Sequence, residues 1–227
     1  MKNQTPKDLV PKFFDNTAHT YDKIAYYATF GKDNYWKDKI IQKMKKPKSI
    51  LDLACGTGIL TRKLATEFPD SEIIGVDITK NYLKIAEKNS TNFSNISFIH
   101  QDAEKLLLEK KFDCICSSYI PKYCNAESLL NRCILHLNKN GNIILHDFLY
   151  PRNSIVQVFW KLHFMSLQIL GKFIPTWNEA FVELPKLIEY SNWVESYTTF
   201  FKNNGFIVEF ESLTFNTSGI LTAHRTD

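Results

Sequence analysis

Arginine is scarce in this 227-residue chain. Only Arg62, Arg132, Arg152 and Arg225 stand among 28 basic residues, the others being lysines. Arginine is the side chain that reads base edges and phosphates bidentately, so this balance disfavours specific nucleic-acid recognition. No Asn/Asp-Pro-Pro-Tyr base pocket is present either. Glycine and proline number eight each, which excludes collagen-like and low-complexity chains. The five cysteines are odd in number and form no Cys-x-x-Cys pair, so neither a disulfide framework nor a zinc ribbon is indicated. Cys55, Cys114 and Cys116 lie in apolar runs and read as small buried hydrophobes in a reducing compartment. No His/Cys/carboxylate cluster offers a metal site. The longest apolar stretch, Ile155 to Ile174, is broken by Gln157, Lys161, His163, Gln168 and Lys172, and does not read as a membrane span. The first fifteen residues are polar and lack the apolar centre of a signal peptide. These absences predict a cytoplasmic protein.

Hydrophobic residues make up 44% of the chain, ample for a buried core, and the net charge of +4 is modest. No repeat and no linker divides the sequence, so one domain over 1–227 is expected. From Lys48 onward, short apolar runs alternate with helical periodicity. Strands are expected at Ser49–Ala54, Glu72–Asp77, Asn95–His100, Phe112–Ser118 and Asn142–Phe148. Helices are expected at Ile59–Phe68, after a capping Thr79, and at Ala126–Leu137. That alternation implies βαβ units and a parallel sheet covered on both faces. Residues 1–47 read as a helical, aromatic-rich cover, 48–151 as a cofactor-binding core and 152–204 as a second helical cover. Residues 205–227 read as a β-hairpin.

Leu51-Asp-Leu-Ala-Cys-Gly-Thr-Gly58 runs from a strand into a helix. Gly56 and Gly58 let the backbone turn tightly beside a ligand at the carboxyl end of the first strand. A dinucleotide fingerprint would place a third glycine at position 61, where Thr61 stands. Asp52 would repel a pyrophosphate and suits a cationic ligand. S-adenosylmethionine carries a sulfonium and an ammonium and no phosphate, so it fits better than NAD. Asp77 ends the second strand, placed to accept from ribose hydroxyls. Asp102 and Ala103 follow the third strand, placed to meet the adenine edge. The bland alternative makes all three aspartates turn and cap residues.

These residues resemble the class I S-adenosylmethionine-dependent methyltransferases. Asp52-Leu-Ala-Cys-Gly-Thr-Gly58 is similar to the cofactor loop of the ubiquinone/menaquinone biosynthesis C-methyltransferase family. The N-terminal Val10-x-x-x-Phe14-Asp15-x-x-Ala18-x-x-Tyr21-Asp22, with Gly31 and Trp36-Lys37, resembles that family's first motif. Phe148-x-x-Pro151, Leu170-Gly171 and Leu213-Thr214 with Gly219-Ile220 and His224 resemble its later ones. The resemblance implies an α/β class I (Rossmann-like) fold: a mostly parallel seven-stranded sheet, its last strand antiparallel, with helices on both faces. It implies cofactor contacts at Thr61, Asp77, Asp102, Ala103 and Ser118. Asp52, Ala54, Gly56, Gly58 and Ile78 complete the expected cofactor set, and the expected product is S-adenosylhomocysteine.

The implied reaction is C-methylation of a demethylmenaquinol- or ubiquinol-type ring. Tyr21 is the candidate to orient the substrate hydroxyl, against a reading as a packing aromatic. Lys122 is the candidate to stabilise a phenolate, against a solvated lysine. The family's Gly-Leu-Arg-Asn run after the fourth strand becomes Tyr119-Ile-Pro-Lys122 here, which leaves Pro121 as the other candidate for the arginine position. Its Glu-Phe-Ser-Lys-Pro becomes Asp147-Phe-Leu-Tyr-Pro151. His146 is the candidate base, against a hydrogen-bonded structural histidine. The helix Ile155–Lys172 is apolar around most of its circumference, which suits a lid over a hydrophobic substrate, a homodimer face, peripheral contact with the inner face of the membrane, or deep burial. Methylation of another lipid or phenol, and a non-catalytic cofactor-binding protein, are the alternative functions.

Overall fold

The computed structural model describes residues 6–225. After a 3-10 turn at Pro6–Asp8 come α1 (Leu9–Phe14), α2 (Tyr21–Ala28) and α3 (Lys32–Gln42). The alternating core follows: β1 (Ser49–Leu53), α4 (Ile59–Glu67), β2 (Glu72–Asp77), α5 (Lys80–Asn89), β3 (Ile96–His100), β4 (Phe112–Ser118), α6 (Ala126–Leu135) and β5 (Leu137–Phe148). Three helices, α7 (Ser154–Gly171), α8 (Pro175–Tyr190) and α9 (Trp193–Asn203), precede β6 (Phe206–Leu213) and β7 (Ser218–Arg225).

The strands form one seven-stranded sheet in the order β3-β2-β1-β4-β5-β7-β6. Pairing is parallel from β3 to β5, and β7 runs antiparallel to both β5 and β6. The strand order reverses between β1 and β4, so their carboxyl ends diverge into a crevice, the usual ligand position of an open α/β sheet. Alternation along the strands builds two cores. Leu51, Leu53, Ile115 and Leu145 face α6 and α9 through Leu129, Leu130, Tyr197 and Phe201. Ile50, Ile73, Cys114, Cys116 and Ile144 face α3 and α4 through Trp36, Ile40, Leu60 and Leu64. With both faces covered, the central strands read as near-continuous apolar runs. A third cluster, containing Phe13, Phe164, Leu167, Trp177 and Phe181, binds α1, α7 and α8 together beside the crevice.

Most boundaries fall within one residue of the sequence reading, and the larger differences lie between α6 and β5. α6 stops at Leu135, and β5 begins at Leu137 instead of Asn142. Leu137 is buried and pairs with Phe112, and the register then shifts before Cys114 meets Asn142. Core burial of one leucine thus extends the strand back through the polar Asn138-Lys-Asn140. Thr79 occupies the N-cap of α5, but its side chain makes no capping bond. Its N–H donates to Asp77 Oδ1 at 2.7 Å, so the cap position serves the carboxylate of β2.

Phe201 is fully buried and packs on Phe206 at 5.3 Å between ring centroids. Phe201→Ala should destabilise the fold by about 3–5 kcal/mol through transfer and cavity terms. Urea unfolding should show a lower midpoint at an unchanged slope.

Candidate active site

The loop after β1 is built on left-handed backbone. Ala54, Gly56 and Gly58 have φ of 53°, 58° and 78°. A Cβ on Gly58 would lie 3.1 Å from both the Ala86 Cβ and an Arg62 nitrogen, so close packing as well as φ demands glycine there. The Gly56 N–H donates to Asp77 Oδ2 at 2.8 Å, tying the loop to the end of β2.

The loop walls two neighbouring spaces that share Ala54 and Gly56. A cleft of about 730 Å³ is lined by Ala54, Gly56, Asp77, Ile78, Asp102, Ala103 and Ser118, among others. A smaller space behind it is lined by Asp52, Ala54, Gly56, Thr57 and Lys37. Both include Ser118, Tyr21 and Tyr119. Asp52 is buried and accepts from the Thr61 hydroxyl at 2.6 Å. Burial pushes its carboxyl up to about 7, against the Thr61 bond and the Lys37 charge, which pull it down. A carboxylate held there is short of positive charge. Burial also raises Asp77, although the N–H groups of Thr79 and Gly56 oppose the shift. Asp102 accepts from Glu104 N at 3.0 Å and pairs with Lys7. Carboxylates along the wall and a glycine cradle fit S-adenosylmethionine.

A third space of about 1580 Å³ opens beside these. Its walls come from α1–α3, α7, α8, the end of β5 and the loops after β4 and β6, and are mostly aromatic: Phe13, Phe14, Phe148, Trp160, Phe164 and Trp177 among them. Tyr21 and Tyr119 line all three spaces and therefore stand where methyl donor and acceptor would meet. Tyr119 is held there by unusual backbone, with φ of 81°. A tyrosine in that region is strained, and such strain persists where surroundings over-determine it. Here its ring stacks on Phe148 at 4.8 Å and its hydroxyl donates to Asp33 Oδ1 at 2.7 Å.

The N-terminal helices are strapped over the cleft. Lys7 pairs with Asp102 and Glu104, the Thr17 hydroxyl meets the Tyr82 hydroxyl at 2.8 Å, and Thr57 donates to Asp22 Oδ1 at 2.6 Å. Tyr21 stacks on Trp177 at 6.1 Å, and burial raises its phenol well above the usual range.

The structure bears on three of the expected residues. Thr61 is wholly buried behind Asp52, so it orients that carboxylate and does not itself line the cleft. His146 is wholly buried, with Nδ1 3.0 Å from Ser118 Oγ and Nε2 2.6 Å from Ser218 Oγ. Burial, then Lys37 and Lys122, drive its pKa well below the ordinary value. Both ring nitrogens are thus engaged by serine hydroxyls, which places His146 to orient Ser118. Lys122 is not the solvated lysine of the bland reading. Its Nζ donates to Asp147 Oδ1 and to Tyr119 O, both at 2.8 Å, and sits 4.4 Å from the Tyr123 ring centroid. It lines the aromatic cavity. Asp33, Lys37 and Tyr119 were not among the expected site residues. The i,i+4 spacing of Asp33 and Lys37 on a helix was the available signal for that pair.

A cationic cofactor should bind better once Asp52 has lost its proton. Affinity measured by calorimetry should rise about tenfold per pH unit up to about 7 and flatten above it. Asp52→Asn should bind weakly with no such slope. The folded carboxyl sits above its reference value of 3.8, so without ligand Asp52 favours the fold at low pH and loses that contribution as pH rises through about 7.

The model of the ubiE/COQ5 methyltransferase family matches residues 1–226. Demethylmenaquinone methyltransferase of Chlorobaculum tepidum is 28% identical over 231 residues, covering 96% of this chain and 93% of that protein. The enzyme of the same name from Staphylococcus carnosus is 29% identical over 189 residues, covering 79% of this chain and 77% of that protein. Among solved structures, magnesium protoporphyrin IX methyltransferase of Synechocystis with bound S-adenosylhomocysteine superposes with a TM-score of 0.65. It is 17% identical and covers 97% of this chain and 100% of that one, a likeness of fold. The family match takes in the strap and the aromatic walls as well as the cofactor loop, so the chain belongs to the ubiE/COQ5 methyltransferase family and is an S-adenosylmethionine-dependent methyltransferase.

Proposed function

We propose that this enzyme C-methylates the ring of a hydroquinone that carries an apolar tail, as in respiratory quinone biosynthesis. The observation that carries this reading is the aromatic cavity, which meets the cofactor cleft at Tyr21 and Tyr119 and holds a buried lysine, Lys122. The relatives named demethylmenaquinone methyltransferase support it. Bound S-adenosylmethionine supplies an electrophilic methyl group on sulfur, and Asp52, Gly56, Asp77, Asp102 and Ala103 would hold it.

The chain's own residues prepare the acceptor. Stacked aromatic walls fix the plane of a flat ring and exclude water. A hydroquinone becomes a carbon nucleophile when its hydroxyl gives up a proton. Two Lys122 N–H groups are engaged by Asp147 and Tyr119, and the third is left for a phenolate oxygen. Burial lowers the Lys122 pKa and raises that of Asp147, and the attraction between the two charges opposes both shifts. Tyr21 has no hydrogen-bond partner among the described residues, so its hydroxyl is available to orient the substrate.

The tail needs cover as well. Trp160 and Phe164 of α7 line the cavity. Ile155, Val158, Leu162, Met165 and Ile169 on the same helix are exposed. Phe30, Phe159 and Phe215 are exposed and also line the cavity, which places them at its mouth. Among the described residues no helix is long and apolar enough to cross a membrane. Each buried methylene of a tail is worth about 0.8 kcal/mol, so an isoprenoid moves from lipid to protein only if water is excluded between them. The α7 face and the mouth aromatics suit peripheral contact with a bilayer.

Incubation with labelled methyl donor and a reduced, tailed demethylmenaquinol should give product methylated on a ring carbon. Product methylated on oxygen, or turnover only with tail-less phenols, would move the reading to the other small-molecule class. Lys122→Met should lower kcat by about 100-fold with cofactor affinity within a factor of two, since the interaction grows with the developing phenolate. Wild-type kcat in that variant would remove Lys122 from the chemistry. Leu162→Ser with Met165→Ser should reduce co-flotation with anionic vesicles while leaving methylation of a tail-less quinol unchanged. A wild type that runs as a dimer and never floats would assign the same face to a second copy.

A further inference from the structure

Lys37 lies on α3 and is buried, yet it lines the small space that also holds Asp52. Its Nζ donates to Asp33 Oδ1 and stands 5.0 Å from the Tyr119 ring centroid. Asp33 is itself buried and also accepts from the Tyr119 hydroxyl at 2.7 Å. An ammonium has three donors. Among the described residues Asp33 is the one hydrogen-bond partner of this one, which leaves two donors beside a space walled by Asp52, Gly56 and Ser118.

Neither the expected cofactor residues nor the proposed ring chemistry uses this lysine. A buried cation and a separate buried carboxylate on one small space match a zwitterion. The amino-acid end of S-adenosylmethionine is one, with an ammonium and a carboxylate on the same carbon. The charges also balance. Lys37, Asp33 and ionised Asp52 sum to one negative charge, and the sulfonium, ammonium and carboxylate of the ligand sum to one positive. Asp33 and Tyr119 hold the lysine head at the wall, so little rotamer freedom remains to be lost on binding.

We propose that Lys37, fixed by Asp33, binds the carboxylate of the methyl donor while Asp52 faces its ammonium. The lysine thereby makes the enzyme selective for an intact amino-acid end. The competing account is that Lys37 merely keeps Asp52 ionised.

Calorimetry with three ligands separates the two: S-adenosylmethionine, its decarboxylated analogue, which keeps sulfonium and ammonium, and methylthioadenosine, which keeps neither. The wild type should bind S-adenosylmethionine at least about tenfold tighter than the decarboxylated analogue, the size of one charge-assisted contact. Lys37→Met should erase that difference and leave the affinity for the decarboxylated analogue and for methylthioadenosine within a factor of two. If Lys37→Met weakens both sulfonium ligands equally, the lysine acts through Asp52 and the proposal falls. Methylthioadenosine binding reports whether the variant is folded. If that variant does not fold, the wild-type comparison decides alone: equal affinity for the intact and decarboxylated ligands overturns the carboxylate site.

Discussion

The hydrogen bond from the Gly56 N–H to the Asp77 carboxylate, 2.8 Å long, joins the turn after β1 to the end of β2. It exists because Gly56 takes a φ of 58°. With that bond in place, the loop wraps the cleft wall instead of crossing it, and Asp77 is fixed from two sides by backbone donors. The left-handed Gly58 then starts α4, whose first turn brings Thr61 under Asp52. The chain thus secures two buried carboxylates with one loop. Each would be expensive to bury alone, and each is held by donors that leave its outer face to a ligand.

The same economy governs the junction of the cofactor and aromatic spaces, where cations take the part of the glycines. Lys37 and Lys122 lie 5.0 and 5.3 Å from the centre of the Tyr119 ring. Each is paired with its own aspartate, Asp33 or Asp147. The stacked Tyr119–Phe148 pair therefore sits among two compensated ion pairs. Such pairs contribute little net stability, because desolvation offsets the attraction. Their value lies in fixing where charge stands in a space otherwise built of apolar rings.

The sequence was legible where a residue's role is local. The glycine loop, the acidic strand ends and the alternation of strands and helices all follow from backbone sterics and burial period, and the sheet order agrees with them. The seventh strand's direction came from the resemblance. The β5 start at Leu137 was hidden because polar Asn138-Lys-Asn140 masks the strand pattern that the Phe112 pairing imposes. The neutral, doubly bonded His146 was hidden because its partners, Ser118 and Ser218, are 28 and 72 residues away. Tyr119 could not be placed from its neighbours either. Nothing in Ser118-Tyr-Ile-Pro121 announces a left-handed tyrosine, which depends on Asp33 and Phe148 from distant elements. The candidate cofactor residues are mostly placed by strand ends, and the candidate catalytic ones take their setting from partners on distant elements. That is the physical reason the two sets differ in how far sequence reaches.

The strap over the cleft turns geometry into traffic. Val10, Phe14 and Tyr21 wall the cofactor cleft, and Phe14 and Tyr21 also wall the aromatic cavity. Polar contacts from Lys7, Thr17 and Asp22 hold that segment down at widely spaced points. A door shared by two rooms cannot admit one guest without disturbing the other. Lifting the segment far enough to release a spent cofactor would strip Phe13, Phe14 and Tyr21 from the aromatic cavity. Exchange at one site and exposure of the other to water are therefore a single mechanical event, and the interval between such events sets how long a reactive ring stays dry.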